Sequence, residues 1–300
     1  MRKEYMFMII AGFFWGSGHP VIRSILTSSN PHMDSVQIAF LSTLISSLVL
    51  LVFVLLFRHS LPSFERSREV FLLAGLAGGL QFGLYPLLSY TALAFIPPST
   101  NAMLVNAAPL FVALLSMFIL GERLTGLGYL GLFGAFIGIV LLVQGLSVTM
   151  QSGVFPGAFL SISGAIITSF YSIIGRKLMR THEPVLVSAV GALFGTFILT
   201  VICFLTSRLN ELIWINTTHL YLVIYWAVAQ AFGSLLFFAA MRRLEAPRAS
   251  VFMFMSPLTA TLLSVAFLGE RITPQFVAGS ILIIIGITLT QRKYVNKTKN

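Results

Sequence analysis

The sequence predicts an all-α integral membrane protein of ten transmembrane helices, arranged as two inverted five-helix repeats. Three observations lead there. The composition is more apolar than a soluble globule can carry, the basic residues segregate between alternate connections, and the second half of the chain repeats the first.

Of 300 residues, 57% are hydrophobic and 9% charged, against about 25% charged in an ordinary soluble domain. Mean hydropathy is +0.93. So few charges cannot cover a soluble surface. This excludes a soluble enzyme, a disordered chain and a nucleic-acid-binding domain, in spite of a net charge of +10; no nucleic-acid partner is expected. Lipid is then the solvent of the outer surface and the first partner of the chain. The lone Cys203 lies in an apolar run. It can form no disulfide within the chain and no cysteine zinc site, and it reads as a small buried or lipid-facing residue.

Ten apolar runs are each long enough to cross about 30 Å of hydrocarbon as a helix of about 20 residues. They are Tyr5–Thr27, Ser35–Phe57, Val70–Phe95, Ser99–Leu120, Gly126–Leu146, Val154–Gly175, Val185–Thr206, Leu220–Met241, Pro247–Leu268 and Gln275–Gln291. Their continuity does not match the two-residue alternation of a transmembrane barrel. The first run follows Arg2-Lys3 but is too long for a signal peptide, lacks a small-residue cleavage site and contains His19 and Arg23, so it is expected to be retained. No connection could house a separate soluble domain.

With the N-terminus inside, 16 of the 19 lysines and arginines fall on the cytoplasmic side, and only Arg23, Arg208 and Arg271 on the other. The positive-inside rule predicts such a bias for ten spans with both termini cytoplasmic. It also explains the pI near 10.2, because the basic connections sit beside anionic inner-leaflet lipid.

Segment Pro109–Leu141 aligns without gaps to Pro257–Leu289, with 15 of 33 positions identical. Shared positions include Pro109/Pro257, Ser116/Ser264, Gly121-Glu122-Arg123/Gly269-Glu270-Arg271, Thr125/Thr273, Gly131/Gly279 and Gly138/Gly286. At a similar offset His32 meets His182 and Arg58 meets Arg208. The repeats are expected at residues 1–146 and 147–300. Each holds five spans, an odd number, so the second enters the membrane from the opposite side. The halves are then related by a pseudo-two-fold axis in the membrane plane, as in many secondary transporters.

Ten spans in two halves of five, Trp15-Gly16 near the start of the first helix, and a Pro…Leu-Gly-Glu-Arg pattern closing the fourth and ninth helices resemble the drug/metabolite transporter superfamily, EamA type. The resemblance covers nearly the whole chain. It implies a helical transporter whose central cavity is formed mainly by the first, third, fourth, sixth, eighth and ninth helices. It also implies small organic substrates such as amino acids, metabolites or drugs, often moved outward.

The first helix carries the most informative residues. Trp15, His19 and Arg23 are spaced at i, i+4 and i+8 and share one face. Gly16-Ser17-Gly18 lies between them and Pro20 follows, so a kink or loosened turn is expected near Gly16–Pro20. His19 is the one ionisable residue expected near the midplane. Such groups are costly there and turn to the bundle interior, so His19 is either the candidate to meet substrate or, if protons couple transport, to handle them, or a neutral histidine hydrogen-bonded to a nearby carbonyl. Arg23, near the outer surface, can snorkel. Gln81, Tyr85, Asn106, Tyr171 and Gln230 are further substrate candidates, with Trp15 and Trp226 as aromatic walls. Asn101, Tyr90, Ser169, Ser172, Ser234, Met253, Met255 and Ser256 form a wider polar and adaptable set. An unpaired amide in hydrocarbon costs several kcal/mol, so the amides should face inward, for helix packing or for binding.

Pro109 and Pro257 read as paired mid-helix kinks and hinges, with Pro20 as a third. Glu122 and Glu270 sit at helix C-termini, opposing the macrodipole. Each needs a partner, such as the next helix N-terminus or the adjacent arginine, and reads as a structural cap or a gate latch.

Absences narrow the chemistry. Asp34 is the one aspartate, His182-Glu183 fails the HExxH pattern, and no phosphate-binding glycine loop occurs. A two-aspartate protease, a zincin and an ATP motor are thereby excluded, and no metal or cofactor is expected. No lysine lies within a span, which argues against doubly charged phosphates as cargo. The expected function is a plasma-membrane secondary transporter exporting small amphipathic metabolites, amino acids or drug-like compounds, by alternating access. A membrane-embedded enzyme, a channel, or an importer of a vitamin or metabolite are the alternatives. Monomer and homodimer both stay open.

Overall fold

A computed structural model describes residues 2–28, 33–57, 68–119, 125–147, 154–210, 212, 216–241 and 254–291. Among the described residues every regular element is helical. In chain order they are α1 (Arg2–Leu26), α2 (Ser35–Phe57), α3 (Arg68–Gly78), a π-helical segment (Gly79–Leu84), α4 (Tyr85–Ala92), α5 (Pro98–Val105) and α6 (Ala108–Ile119). There follow α7 (Gly126–Ser147), α8 (Val154–Thr181), α9 (Pro184–Leu205), α10 (Thr217–Met241), α11 (Met255–Leu268) and α12 (Pro274–Gln291). Among the described residues seven stretches are long and apolar enough to cross a membrane, and three shorter apolar helices accompany them, Gly126–Leu142, Met255–Leu268 and Pro274–Leu289.

Local chemistry sets the ends. Proline opens α5, α9 and α12, where the missing donor costs nothing. Asp34 and Gln37 cap the start of α2 reciprocally, each accepting from the other's backbone N–H at 2.8 and 3.0 Å. The aligned threonines Thr125 and Thr273 cap one way, Thr125 accepting from the Gly128 N–H and Thr273 from the Phe276 N–H. At the end of α11, Gly269 takes the left-handed conformation with φ +65°. Glu270 N–H then closes back on the Ser264 carbonyl.

The outside differs from that of a soluble protein. Large side chains such as Phe118, Phe155, Phe197 and Phe267 are exposed on the outside, while serines, threonines, Asn101 and His19 are buried inside. The interior keeps apolar clusters, such as Ile22, Ile25, Leu93 and Leu199, but admits these polar groups among them, while the outside is apolar as lipid requires.

Contacts recur between the two halves. Helix α1 lies along α10 and α11; α8 lies along α4 and the α5–α6 pair; α2 lies along α9. The most extensive contact is between α7 and α12. A Cβ at Gly138 would stand 2.6 Å from the Gly279 carbonyl oxygen, and one at Gly286 2.4 Å from the Gly131 carbonyl oxygen. The helices are therefore antiparallel and in backbone contact. Because Gly131 aligns with Gly279 and Gly138 with Gly286, exchanging the two repeats maps one contact onto the other.

Three expectations need correction. No loosened turn occurs at Gly16–Pro20; α1 runs unbroken through Pro20. Its glycines serve close packing instead, Gly16 against the Ser256 carbonyl and Gly18 against the Trp226 ring. The interruption is on the third span, where the backbone widens to a π-helix at Gly79–Leu84, and the Thr43 hydroxyl donates to the Phe82 carbonyl there at 3.1 Å. Nor are Pro109 and Pro257 mid-helix kinks. The fourth span is divided at Asn106–Ala107. Pro109 lies in the first turn of α6 and Pro257 in the first turn of α11, where proline is tolerated.

Candidate functional site

The broken and widened backbone surrounds a cavity of about 260 Å³. Helix α1 contributes Trp15, His19 and Ile22; the π-helical segment and α4 contribute Gln81, Phe82, Tyr85, Ser89 and Tyr90. The α5–α6 break supplies Asn106 and Pro109, α8 supplies Thr168, Tyr171 and Ser172, α10 supplies Trp226, Gln230 and Ser234, and α11 supplies Ser256. All eight residues singled out as substrate candidates thus line one space.

No Asp, Glu, Lys or Arg is among the described lining residues. The walls are aromatic. Trp15 stacks at a tilt on Phe237 with ring centroids 5.2 Å apart, and Phe82 meets Tyr171 edge-on at 6.2 Å. The Trp226 indole N–H donates to the Tyr90 hydroxyl at 2.8 Å, which fixes the ring in place. Polar groups punctuate these walls. His19 Nδ1 lies 3.1 Å from the Asn101 side-chain nitrogen. Asn106 donates to the Ala102 carbonyl at 2.8 Å, capping α5 at the break. Gln81 Oε1, Gln230 Oε1 and the Thr168 hydroxyl are buried without a partner. Unpaired acceptors in a dry interior cost about 1–3 kcal/mol each, and a ligand donor or water would relieve that cost. Among the described residues no group of three or more His, Cys, Asp or Glu could hold a metal ion.

One end of the bundle is tied by charge. The Ser99 backbone N–H and hydroxyl both donate to the Glu270 carboxylate. Ser99 is in the first turn of α5, so Glu270 satisfies a helix N-terminus. The Arg23 guanidinium donates to the Leu93 carbonyl and lies within electrostatic reach of Glu270. Burial pushes the Glu270 carboxyl above its ordinary range, an effect that Ser99, Ser264 and then Arg23 oppose. The partner of Glu270 is therefore the N-terminus of a helix in the other half, with Arg23, and not the next helix. Arg23 turns inward to the Leu93 carbonyl instead of snorkelling. Glu122 lies outside the described residues, as does Met253.

A family model for EamA-like transporters matches twice, over residues 2–144 and 155–292. The chain belongs to the EamA-like transporter family. EamA-like relatives align along nearly the full length. An uncharacterized transporter of Clostridium kluyveri is 23% identical, over 100% of this chain and 97% of its own. An uncharacterized transporter of Archaeoglobus fulgidus is 24% identical, over 97% and 99%. A protein of Salmonella typhimurium named "Probable amino-acid metabolite efflux pump" is 25% identical, over 95% and 94%. A crystal structure of another protein superposes with a TM-score of 0.63 at 18% identity, covering 99% of this chain and 98% of the other; that likeness concerns the fold alone. The EamA-like chain is thus a transporter and a multi-pass membrane protein.

Some site residues of this EamA-like chain escaped the sequence-based choice. Ser89, Phe82 and Thr168 line the cavity, and Ser161 stands behind it. A serine or threonine in an apolar helix usually bonds its own preceding turn, and the Ser161 hydroxyl does lie 3.0 Å from the Gly157 carbonyl oxygen. Nothing in its local sequence marks it for a cavity. Ser99 carried no signal either, since its partner is 171 residues away.

Proposed function

We propose that this EamA-like protein is a plasma-membrane secondary transporter that exports small amphipathic organic metabolites. Its two five-helix halves, 1–146 and 147–300, have opposite orientations and rock about the central cavity, with both termini in the cytoplasm. The observation that carries this reading is the cavity: an uncharged, aromatic-walled space where helices of both halves meet, holding unpaired amide and hydroxyl groups. Aromatic walls with a few placed polar atoms suit a ligand with an apolar body and a polar end. The absence of ionised side chains among the lining residues favours neutral or zwitterionic cargo.

The exchange-symmetric glycine contacts between α7 and α12 support the inverted arrangement. So does the reciprocal packing of α1 and α8 against the opposite halves. Cytoplasmic termini rest on the distribution of lysine and arginine, and the outward direction draws on the name of the Salmonella relative. Trp15, His19, Gln81, Tyr85, Asn106, Tyr171, Trp226 and Gln230 would touch the substrate, and anionic lipid would flank the basic connections.

Metabolite profiling of medium and cells after overexpression and after deletion identifies the cargo. Flux of that compound into reconstituted vesicles should saturate, show counterflow and fall sharply in His19→Ala. An unchanged metabolite profile refutes the transporter's proposed role in export. Flux without saturation or counterflow makes the cavity a pore.

A further inference from the structure

Asn101 is wholly buried on α5 and is held from three sides. The Ser161 hydroxyl of α8 donates to its Oδ1 at 2.7 Å. Its Nδ2 lies 3.1 Å from the Ser89 hydroxyl, 3.4 Å from the Ser89 carbonyl oxygen and 3.1 Å from His19 Nδ1. The Ser89 carbonyl oxygen only accepts, so an oxygen of Asn101 placed against it would be repelled; the nitrogen belongs on that side. An amide N–H facing His19 Nδ1 requires a lone pair there. A neutral imidazole with its lone pair on Nδ1 carries its proton on Nε2. His19 lines the cavity, and Nε2 is the ring nitrogen left for it.

We propose that Asn101, braced by Ser89 and Ser161, is a positioning residue that holds neutral His19 as an Nε2–H donor to the cavity, which thereby takes ligands bearing a carboxylate or carbonyl oxygen. This rests on the cavity being the substrate site. In an uncharged chamber a fixed donor discriminates strongly, because a ligand without an acceptor leaves it unpaired. An amine alone, which has only donors when protonated, meets the wrong face of the ring.

The test is a long-range nitrogen–proton correlation spectrum of the full chain labelled with ¹⁵N-histidine in lipid nanodiscs. His19 is assigned by the signal missing in His19→Gln. The wild type should show the proton on Nε2, and Asn101→Asp, which replaces the N–H with an acceptor oxygen of the same shape, should move it to Nδ1. Titration with a mixture of neutral L-amino acids should shift the His19 Nε2–H signal, while the matching amines lacking the carboxylate leave it in place. A proton on Nδ1 in the wild type, or a pattern unmoved by Asn101→Asp, overturns the positioning role. Equal shifts with both mixtures, a shift with the amines alone, or none with either overturns the ligand assignment. The tautomer is read without transport, so a protein that exports nothing would defeat the transporter reading and leave this spectrum as expected.

Discussion

Gly18 tests the packing that shapes the cavity. A Cβ at this position would stand 2.2, 2.4 and 2.5 Å from Cζ3, Cε3 and Cη2 of Trp226. Carbon atoms settle at about 3.5–4.0 Å, so in Gly18→Ala the indole must retreat by more than about 1 Å. It is not free to do so, because its N–H is held by the Tyr90 hydroxyl at 2.8 Å. Overpacking of this kind costs about 1–3 kcal/mol, and losing the hydrogen bond adds about 0.5–1.5 kcal/mol. The expected total is roughly 1.5–4.5 kcal/mol. Thermal unfolding of the purified protein in nanodiscs should show a Tm several degrees lower. Trp226→Leu removes the obstacle, so the added alanine should cost much less in that background, a coupling of about 1 kcal/mol or more. A Gly18→Ala protein that melts with the wild type, or one whose loss is undiminished in the Trp226→Leu background, would refute the reasoning.

Glu270→Ala removes the cap from α5 and should lower stability by about 0.5–2 kcal/mol, read as a Tm shift. The pH dependence of that Tm follows from the raised Glu270 carboxyl. The folded state holds this proton to higher pH than the unfolded state, so its contribution is complete below the ordinary carboxylate range. It is lost as pH rises through the folded-state value, and Glu270→Gln should flatten that part of the profile. At the α7–α12 seam, Gly138→Val and Gly286→Val should each cost about 1–3 kcal/mol by overpacking. Gly134→Val, with nothing within 4 Å of its Cβ, should melt near the wild type.

Much of the helical architecture was legible because lipid imposes it: long apolar runs have no other way to satisfy their backbone. The paired Gly131/Gly279 and Gly138/Gly286 were visible as repeats, though only the structure shows that they touch crosswise. Local propensity misled at Gly16–Pro20. Glycines that weaken a helix in isolation are here the places where Trp226 and the Ser256 carbonyl approach. The π-helical segment had no sequence signature; α9, α8 and α2 pack beside it. Polar side chains in spans, such as His19 and Gln81, were legible as inward-facing because hydrocarbon penalises their exposure. Their partners were not. Asn101 meets His19, and Tyr90 meets Trp226, only through tertiary contact, and Glu270 finds Ser99 across the whole chain.

The central claim is that the two halves enter the membrane from opposite sides around one shared chamber. Thr125 and Thr273 occupy equivalent places in the two repeats, so each can carry a single cysteine in a Cys203→Ser background. Labelling of intact cells with a membrane-impermeant maleimide should modify the cysteine at 273 and leave the one at 125 until the membrane is permeabilised. Modification of both from the same side would contradict the account.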